Sequence, residues 1–380
     1  MDEIGVMATY VEPKSQYLRF TNIGGLIYTS LHGNRVKFED GTLGVISVHD
    51  SFGKGRSSAN STDVFYIDVQ DENGMLVKDG HPAGFWRETE QRGNRVIAKA
   101  LDDRIGCVVA IETMKKLKAN GTANEVYFAF TTQEEVGLRG AKTAAYGVNP
   151  DIGIALDGDA DRMVAVSGSG DVIPGDKLLA IFANDVVSRN PASSVVFDVK
   201  CSRNLSRSIT QIGGRPVMWK SGHSNIKAKM QETSAILGGE YTGHYFFKER
   251  WYGFDDGIYS ALRLIELLTI DDRTLDDRIA EMPASFSTEE LMLPVQQDEE
   301  KFSIMLALKS QLNISDGTLT DIDGLRLDFP EGWGLIRASN TSANIAARFE
   351  ANTEEELQRI RELFQQALLT IDSKLQLPAA

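Results

Sequence analysis

Alternating apolar and polar residues dominate the first quarter of the chain. The alternation occurs between residues 17 and 74, in the segments YLRFTNIGG, LIYTSLHGN, RVKFEDG, TLGVISVHD and VFYIDVQDENG, which Gly, Asn and Asp residues separate. A period of two between such turn residues predicts short β-strands joined by turns. We therefore expect residues 1–98 to form a β-rich segment that contains a small barrel.

The period changes to that of a helix after residue 102. Apolar residues then recur at helical spacing, at Ile105, Val108, Val109, Ile111 and Met114. A strand EVYFAFTT, a short helix through GAKTAAYG and a strand DIGIALD are expected to follow. Strands that alternate with helices predict an α/β layer with parallel strands over residues 99–172.

Two further domains are expected after this layer. Residues 173–275 alternate between helical and strand patterns, in DKLLAIFANDVVSR, SSVVFDVK, HSNIKAKMQET and AILGGE, which predicts an α/β domain. Residues 285–380 predict an α+β domain with a strand, a helix, three strands and a final helix. The final helix begins with a predicted capping box of Thr353 and Glu356 and carries the apolar stripe Leu357, Ile360, Phe364, Leu368 and Ile371. The predicted fold class is α/β multidomain, with a β-barrel-like N-terminal segment, mixed and parallel α/β layers and a C-terminal α+β domain.

Composition and charge narrow the classes of partner. The 380 residues carry a formal net charge of -14, which disfavours nonspecific binding to nucleic acid or anionic lipid. No apolar run approaches the roughly 20 residues of a membrane helix. The net negative charge leaves small substrates or protein partners as the expected alternatives. The two cysteines lie far apart in sequence, so we expect a reduced cytoplasmic setting.

Carboxylates follow the predicted strands between residues 100 and 157. Asp102 lies in ALDDRIG, Glu134 and Glu135 lie in QEEVG, and Asp157 ends DIGIALD. A dinuclear metal site needs bridging and terminal carboxylates and a base for the attacking water. Asp102, Glu135 and Asp157 are therefore candidate metal ligands, and Glu134 is a candidate general base. Each acidic pair taken alone is also consistent with a solvated loop or a helix start.

A second set of candidate residues begins at the same Asp157. The turn DGDADR offers Asp157, Asp159 and Asp161 as hard oxygen ligands for Mg²⁺, with Arg162 beside them for a phosphate. A Ca²⁺-type or merely solvated acidic turn is the alternative. GGEYTGH offers Glu240 and Thr242 to sugar hydroxyls. RASNTS offers a phosphate cradle of Arg337, Ser339, Asn340 and Thr341.

Residues 1–157 resemble the dinuclear metalloaminopeptidase family that includes the tetrahedral and glutamyl aminopeptidases. The resemblance rests on MDEIG, GNRVIAKALDDRIGC, FTTQEEVGLRGAKTAAYG and NPDIGIALD. It implies the family's barrel and one strand of its catalytic domain before residue 98, and Zn²⁺ or Co²⁺ as the cofactor. The family's histidine ligands have no counterpart among the five histidines, so a metal-dependent aminopeptidase is the second hypothesis. A non-enzymatic oligomerisation module, built on the β-rich segment, is the third.

Residues from about 151 to 380 are similar to the phosphomannomutase/phosphoglucomutase family, the α-D-phosphohexomutases. The similarity covers the end of that family's second domain and its third and fourth domains, through DGDADR, FDVKCSR, GGRPVMWKSGHSNIKAKM, GGEYTGHYFFKERWYGFDDGIY and RASNTSANIAARFEA. It implies that Asp157, Asp159 and Asp161 bind Mg²⁺, and that Arg162, Lys200 and His244 act on the phosphate and sugar. His223, Glu240, Thr242 and His244 would contact the sugar, and Arg337, Ser339, Asn340 and Thr341 would bind the nonreacting phosphate. Thr242 stands where Ser is usual, and Ala343 where Pro is usual.

The leading hypothesis is a chimera-like, phosphohexomutase-like protein that binds Mg²⁺ and a hexose phosphate. We expect little or no turnover, because residues 1–150 contain no TASHNP-like loop with the family's phosphoserine. The sugar of the hexose phosphate stays open. A homo-oligomer is one alternative for its assembly. We expect neither nucleic acid nor a membrane as a partner.

Overall fold

The chain divides into two compact units, Met1–Asn149 and Pro150–Ala380. The computed structural model describes residues 4–11, 17–23, 26, 28–48, 62–69, 77–123, 125–131, 139–148, 150–157, 159–295, 299–311, 317–339 and 343–378. The finer predicted boundaries, at residues 98, 172 and 275, stay a prediction. None of the described helices combines the length and the apolar character that a membrane-crossing segment requires.

An antiparallel barrel of six strands forms the core of the first unit. Its strands are β1 (Gly5–Val11), β2 (Tyr17–Ile23), β3 (Arg35–Phe38), β4 (Leu43–Val48), β5 (Phe65–Asp68) and β6 (Pro82–Phe85), closed in the order β1-β2-β5-β4-β3-β6. Short 3₁₀ turns lie at Tyr28–Ser30 and Thr62–Val64. Leu18, Val36 and Ile67 are fully buried inside the barrel, as the period of two predicts. The predicted barrel is confirmed.

The remainder of the first unit departs from the predicted α/β layer. It contains the hairpin β7 (Glu90–Arg92) and β8 (Arg95–Ile97), followed by α1 (Leu101–Asn120) and α2 (Arg139–Val148). The predicted strand EVYFAFTT is wrong for the described residues 125–131, which form no strand. An apolar sequence becomes a strand only where a neighbouring strand accepts and donates its backbone hydrogen bonds. The predicted helix α1 does form, although Ile105 and Val108 stay 44% and 53% exposed.

A three-stranded antiparallel sheet opens the second unit. It has the order β11-β10-β9, with β9 (Ile152–Leu156), β10 (Met163–Ser167) and β11 (Val172–Ile173). The expectation of parallel pairing is therefore wrong for β9, in which Leu156 pairs with Met163 across an antiparallel ladder. The reason is the short turn between them: a strand that returns directly pairs antiparallel, whereas parallel pairing needs a long crossover.

The predicted α/β domain follows. Its sheet has the order β13-β12-β14-β15, formed by β12 (Ser194–Asp198), β13 (Arg215–Trp219), β14 (Leu237–Gly239) and β15 (Tyr245–Phe247). Its helices are α3 (Gly175–Arg189), α4 (Arg203–Gln211), α5 (His223–Thr233), α6 (Gly257–Leu268) and α7 (Leu275–Ala280). Strand β12 is parallel to both β13 and β14, so the loops after these three strands lie at one edge of the sheet.

The C-terminal region is the predicted α+β domain. It consists of β16 (Phe286–Ser287), β17 (Leu291–Pro294), α8 (Glu300–Gln311), β18 (Thr318–Thr320), β19 (Leu325–Asp328), β20 (Gly332–Ala338), β21 (Asn344–Ala351) and α9 (Glu354–Ile371). The sheet has the order β16-β21-β20-β19-β18, with β17 also paired to β21. The short strands β16 and β18 were not predicted. Ile360 and Phe364 of α9 are fully buried in its core.

The predicted capping box at the start of α9 forms only in part. The Thr353 side chain accepts a hydrogen bond from the backbone N–H of Glu356 at 3.2 Å, as predicted. The Glu356 carboxylate accepts instead from the Arg359 Nε at 2.8 Å. A guanidinium one turn along the helix is a charged donor, so it competes well with the backbone N–H of Thr353 for this carboxylate.

Candidate functional site

A tight turn with three aspartates joins β9 to β10. Asp157, Asp159 and Asp161 each have a carboxylate oxygen within 4.8 Å of the others. The turn is closed by a hydrogen bond of 3.0 Å from the Ala160 N–H to the Asp157 carbonyl, with Ala160 at φ 59°. Three hard oxygen ligands at this spacing fit a divalent cation such as Mg²⁺.

Arg162 neutralises one of these carboxylates at the end of the turn. Its backbone N–H donates to Asp157 Oδ1 at 3.0 Å, and its Nε donates to Oδ2 at 2.6 Å. Partial burial alone would raise the pKa of Asp157, but these hydrogen bonds outweigh it and hold the pKa below its usual value. The Arg162 side chain is 48% exposed, so its guanidinium is also open to a phosphate group.

His244 lies between two carboxylates. Its Nε2 is 3.3 Å from Asp161 Oδ2, and its Nδ1 is 3.0 Å from Glu240 Oε2. Burial opposes the imidazolium charge, but Glu240 and Asp161 outweigh it and raise the pKa of His244. Burial, together with Asp157 and Asp159, raises the pKa of Asp161 although His244 opposes this. The two flanking carboxylates therefore favour the protonated form of the His244 ring beside the aspartate turn.

The predicted sugar-contact residues lie together around this histidine. The Thr242 hydroxyl is 3.4 Å from His244 Nδ1, and the His223 ring is centred 5.9 Å from the His244 ring. Glu240 accepts a hydrogen bond from the Gly222 N–H at 2.5 Å, which links the loop after β13 to the loop after β14. His223, Glu240, Thr242 and His244 thus form one cluster next to the metal turn.

Two residues of this cluster were not predicted. Asp255 accepts from Lys227 Nζ at 2.8 Å, and its other oxygen lies 3.1 Å from His223 Nδ1. Asp255 also groups with Asp161 and His244 as a set of potential metal ligands. The available sequence signal was the pair of aspartates in GFDDG. By itself this pattern is typical of an ordinary turn, and only the fold shows that Asp255 lies beside His223.

Asp198, at the end of β12, ties three loops together. It is fully buried, and its carboxylate accepts from the Ser221 hydroxyl at 2.6 Å and from the Tyr241 N–H at 3.0 Å. The predicted phosphate-facing Lys200 places its Nζ 4.0 Å from Asp198 and 3.4 Å from Glu290. Asp198 therefore fixes the loops that carry Lys200, Ser221 and Tyr241.

Arg337 is held by a second aspartate that was not predicted. Its Nε and Nη2 donate to the Asp323 carboxylate at 3.1 and 3.3 Å, and the same carboxylate accepts from the Ser221 N–H at 2.9 Å. Asp323 therefore links the loop after β13 to the end of β20. Ser339 is buried nearby in sequence, and the predicted Asn340 and Thr341 lie outside the described residues.

The aminopeptidase-type candidates are almost all outside the described structure. Glu134 and Glu135 lie among residues 132–138, which are not described. Asp102 belongs to the first turn of α1, and its side chain is also not described. Asp157, which both patterns share, is bound by Arg162 of the downstream turn.

Family models match both halves of the chain. The M42 glutamyl aminopeptidase model matches residues 1–179. The phosphoglucomutase/phosphomannomutase models match residues 174–286 with the alpha/beta/alpha domain III and residues 277–367 with the C-terminal domain.

Individual relatives give the same division. A phosphomannomutase/phosphoglucomutase from Pseudomonas aeruginosa is 52% identical over 230 residues, which cover 60% of this chain and 50% of the relative. A protein from Acetivibrio thermocellus, named as an aminopeptidase, is 44% identical over 161 residues, which cover 41% of this chain and 47% of the relative. A crystal structure of a phosphoglucomutase/phosphomannomutase family protein from Burkholderia thailandensis is 40% identical, with a TM-score of 0.58 over 64% of this chain and 51% of that one.

The chain spans about half the length of the curated relatives it matches. The predicted two-part resemblance is confirmed. The chain is similar to the M42 glutamyl aminopeptidases over its first 179 residues and to domain III and the C-terminal domain of the phosphoglucomutase/phosphomannomutase family over residues 174–367.

Proposed function

We propose that residues 150–380 bind Mg²⁺ and a hexose phosphate as a phosphohexomutase does. One observation carries this proposal: a continuous set of polar contacts runs from Arg162 through Asp157 and Asp161 to His244 and Glu240. The candidate metal ligands and the candidate sugar contacts are therefore parts of one site. The similarity to phosphomannomutases and phosphoglucomutases supports the same conclusion.

The aspartate turn is the proposed metal site. Asp157, Asp159 and Asp161 would hold the cation, which on binding neutralises phosphate oxygens during phosphoryl transfer. Because Arg162 already pairs with Asp157, it is fixed where its free donors can reach the same phosphate. Lys200 adds a second positive charge, and it is oriented between Asp198 and Glu290.

The proposed sugar contacts follow from the chemistry of the His244 cluster. The Glu240 carboxylate and the Thr242 hydroxyl both lie beside His244 Nδ1. Both groups can form hydrogen bonds with sugar hydroxyls. The raised pKa of His244 favours its protonated form between Glu240 and Asp161, in which the ring can donate a hydrogen bond to a sugar oxygen.

The second phosphate contact is proposed at Arg337. Arg337 is 5% exposed, and Asp323 orients its guanidinium. Ser339 lies directly after the end of the same strand, β20. Asn340 and Thr341 complete this phosphate cradle as a proposal from the RASNTS motif. A planar, oriented guanidinium suits two-point recognition of a phosphate.

Calorimetric titration with glucose 1-phosphate and mannose 1-phosphate, in the presence of Mg²⁺, tests the proposal. We expect Arg337→Ala to weaken binding on the order of tenfold or more, because it removes charge-assisted hydrogen bonds to the phosphate. Arg215→Ala is the matched control, because this arginine is exposed at the start of β13 and belongs to neither candidate cluster. Absence of binding to the unsubstituted protein, or equal binding by Arg337→Ala, contradicts the proposal.

A further inference from the structure

A second polar cleft lies in the same unit, apart from every candidate residue discussed so far. It has a volume of about 380 Å³ and is bounded by α3, α4, the segment 273–287 and the buried end of β21. Five of its lining side chains are cationic and three are anionic, and seven more carry a hydroxyl or an amide. The cleft is therefore cationic, although the whole chain has a net charge of -14.

The acidic groups of the cleft are already engaged by protein donors. Asp176 accepts from the Ser202 N–H at 2.8 Å and lies 3.4 Å from Arg348 Nη1. Glu350 accepts from the Ser202 hydroxyl at 2.7 Å, and burial raises the pKa of Glu350 above its usual value. Asp176 therefore offsets the charge of Arg348, and neither of these two described carboxylates forms an ion pair with Lys177 or Arg207 at the rim.

Two of the cations have no carboxylate of the described chain as a partner. No described Asp or Glu oxygen lies within 4.0 Å of Lys177 Nζ or of the Arg207 guanidinium. Burial and the charge of Arg207 lower the pKa of Arg203, one turn earlier in α4. The rim thus carries positive charge that the described carboxylates do not compensate.

Two further guanidinium groups, those of Arg278 and Arg348, line the cleft. Arg348 is 2% exposed, with its guanidinium carbon 3.8 Å from the centre of the Tyr241 ring. In the described part of the chain, its Nε and the Nε of Arg278 have no hydrogen-bond partner. Such buried orphan donors are uncommon in proteins, and both arginines line this cleft.

We propose that this cleft is a second ligand site, which binds a small molecule bearing a phosphate group. The volume suits a small molecule, and guanidinium, ammonium and hydroxyl donors together suit a tetrahedral dianion. Arg348 also donates a hydrogen bond to the carbonyl of Lys200. The buried end of the cleft therefore contacts the loop that carries Lys200. The existence of the site does not depend on the proposed function.

Calorimetry with inorganic phosphate at low ionic strength tests the proposal on the full chain. Phosphate binding at the cleft should persist in Arg337→Ala, which disables the separate hexose-phosphate candidate. It should weaken by about tenfold or more in Lys177→Ala/Arg207→Ala, because two charge-assisted contacts are lost. Arg215→Ala serves as the control, with binding unchanged.

The outcomes separate the two proposals. Loss of all phosphate binding in Arg337→Ala, or unchanged binding in the Lys177→Ala/Arg207→Ala protein, overturns the second site. Lys177 and Arg207 are both at least partly exposed, so the double variant should keep its melting temperature. Failure of hexose phosphate to bind, with phosphate still held in the cleft, overturns only the proposed function.

Discussion

Two neighbouring carboxylates set the titration of the His244 ring. The ring is held between Glu240 and Asp161, and its pKa is raised. A raised pKa means that the protonated ring stabilises the fold fully below the unfolded value of about 6.5. That stabilisation is lost as the pH rises through the folded pKa.

Replacing Glu240 should therefore lower the pKa of His244. The expected result of Glu240→Gln is a downward shift, because the neutral amide no longer attracts the imidazolium. An NMR titration of the histidine ring protons measures it. Glu232→Gln, on the exposed face of α5, is the control and should leave the titration unchanged. An unaltered His244 titration in Glu240→Gln would show that Glu240 does not set this pKa.

Asp198 should contribute strongly to stability, because it is fully buried and accepts hydrogen bonds from two loops. We expect Asp198→Ala to lower the free energy of unfolding of the second unit by about 3 kcal/mol, because buried donors from Ser221 and Tyr241 lose their acceptor. Denaturant unfolding measures the loss. Asp321→Ala removes an exposed ion pair with Lys309 and should cost less than about 1 kcal/mol. Equal losses in the two variants would argue against the role of Asp198.

The candidate ligand-binding residues could be proposed from local sequence, whereas the residues that orient them could not. Asp159, Glu240 and Arg337 belong to short motifs whose chemistry is legible in one stretch. Asp198 and Asp323 act through loops far apart in the chain, and Asp323 joins Ser221 to Arg337. Only the folded arrangement brings such partners together.

At the level of elements, the first turn of α6 is packed directly against the aspartate turn. A Cβ atom at Gly257 would lie 2.5 Å from the Arg162 carbonyl oxygen and 2.8 Å from that of Ala160. Both contacts are with backbone atoms, which cannot move aside as a flexible side chain can. The identity of one helical residue therefore controls the shape of the candidate metal site.

We expect Gly257→Ala to weaken binding of glucose 1-phosphate with Mg²⁺ by about tenfold, because it displaces the turn by tenths of an ångström or more. Calorimetric titration measures the change. Gly147→Ala in α2 is the control, since its Cβ would meet nothing within 4 Å and alanine favours helix. Binding that Gly257→Ala leaves intact would mean that the turn tolerates the displacement.

The elements themselves were predictable wherever a local period defines them. The final helix follows the predicted period of 3.6, and the barrel strands β3 and β4 follow the predicted period of 2. The prediction failed where partners decide the outcome, at residues 125–131 and in the pairing of β9. Strand formation depends on which neighbour supplies hydrogen bonds, and that information is not local.

At the scale of the whole molecule, every candidate residue of the hexose-phosphate site falls in the second unit. We therefore expect residues 150–380, expressed alone, to bind glucose 1-phosphate within about twofold of the full chain. Calorimetry on both proteins makes the comparison, with Arg337→Ala in the shorter protein as the negative control. A large loss of affinity in the shorter protein would assign part of the site to residues before 150.

The β-rich N-terminal segment is the predicted site of association between copies of the chain. The expected homo-oligomer through the β-rich segment stays a prediction, and light scattering of the full chain measures it directly. A strict monomer at micromolar concentration would exclude the oligomerisation hypothesis.

The ion pair between Arg337 and Asp323 would make the proposed binding of phosphate at Arg337 an exchange of one anionic partner for another. A ligand anion must displace the Asp323 carboxylate from the Arg337 guanidinium. A weakly charged group should therefore bind with little gain in free energy. A phosphate monoester has its second ionisation near pH 6. The site should consequently bind dianionic phosphate esters more tightly than simple carboxylates. Its affinity for a phosphate ester should fall as the pH drops below about 6, because the ester becomes a monoanion.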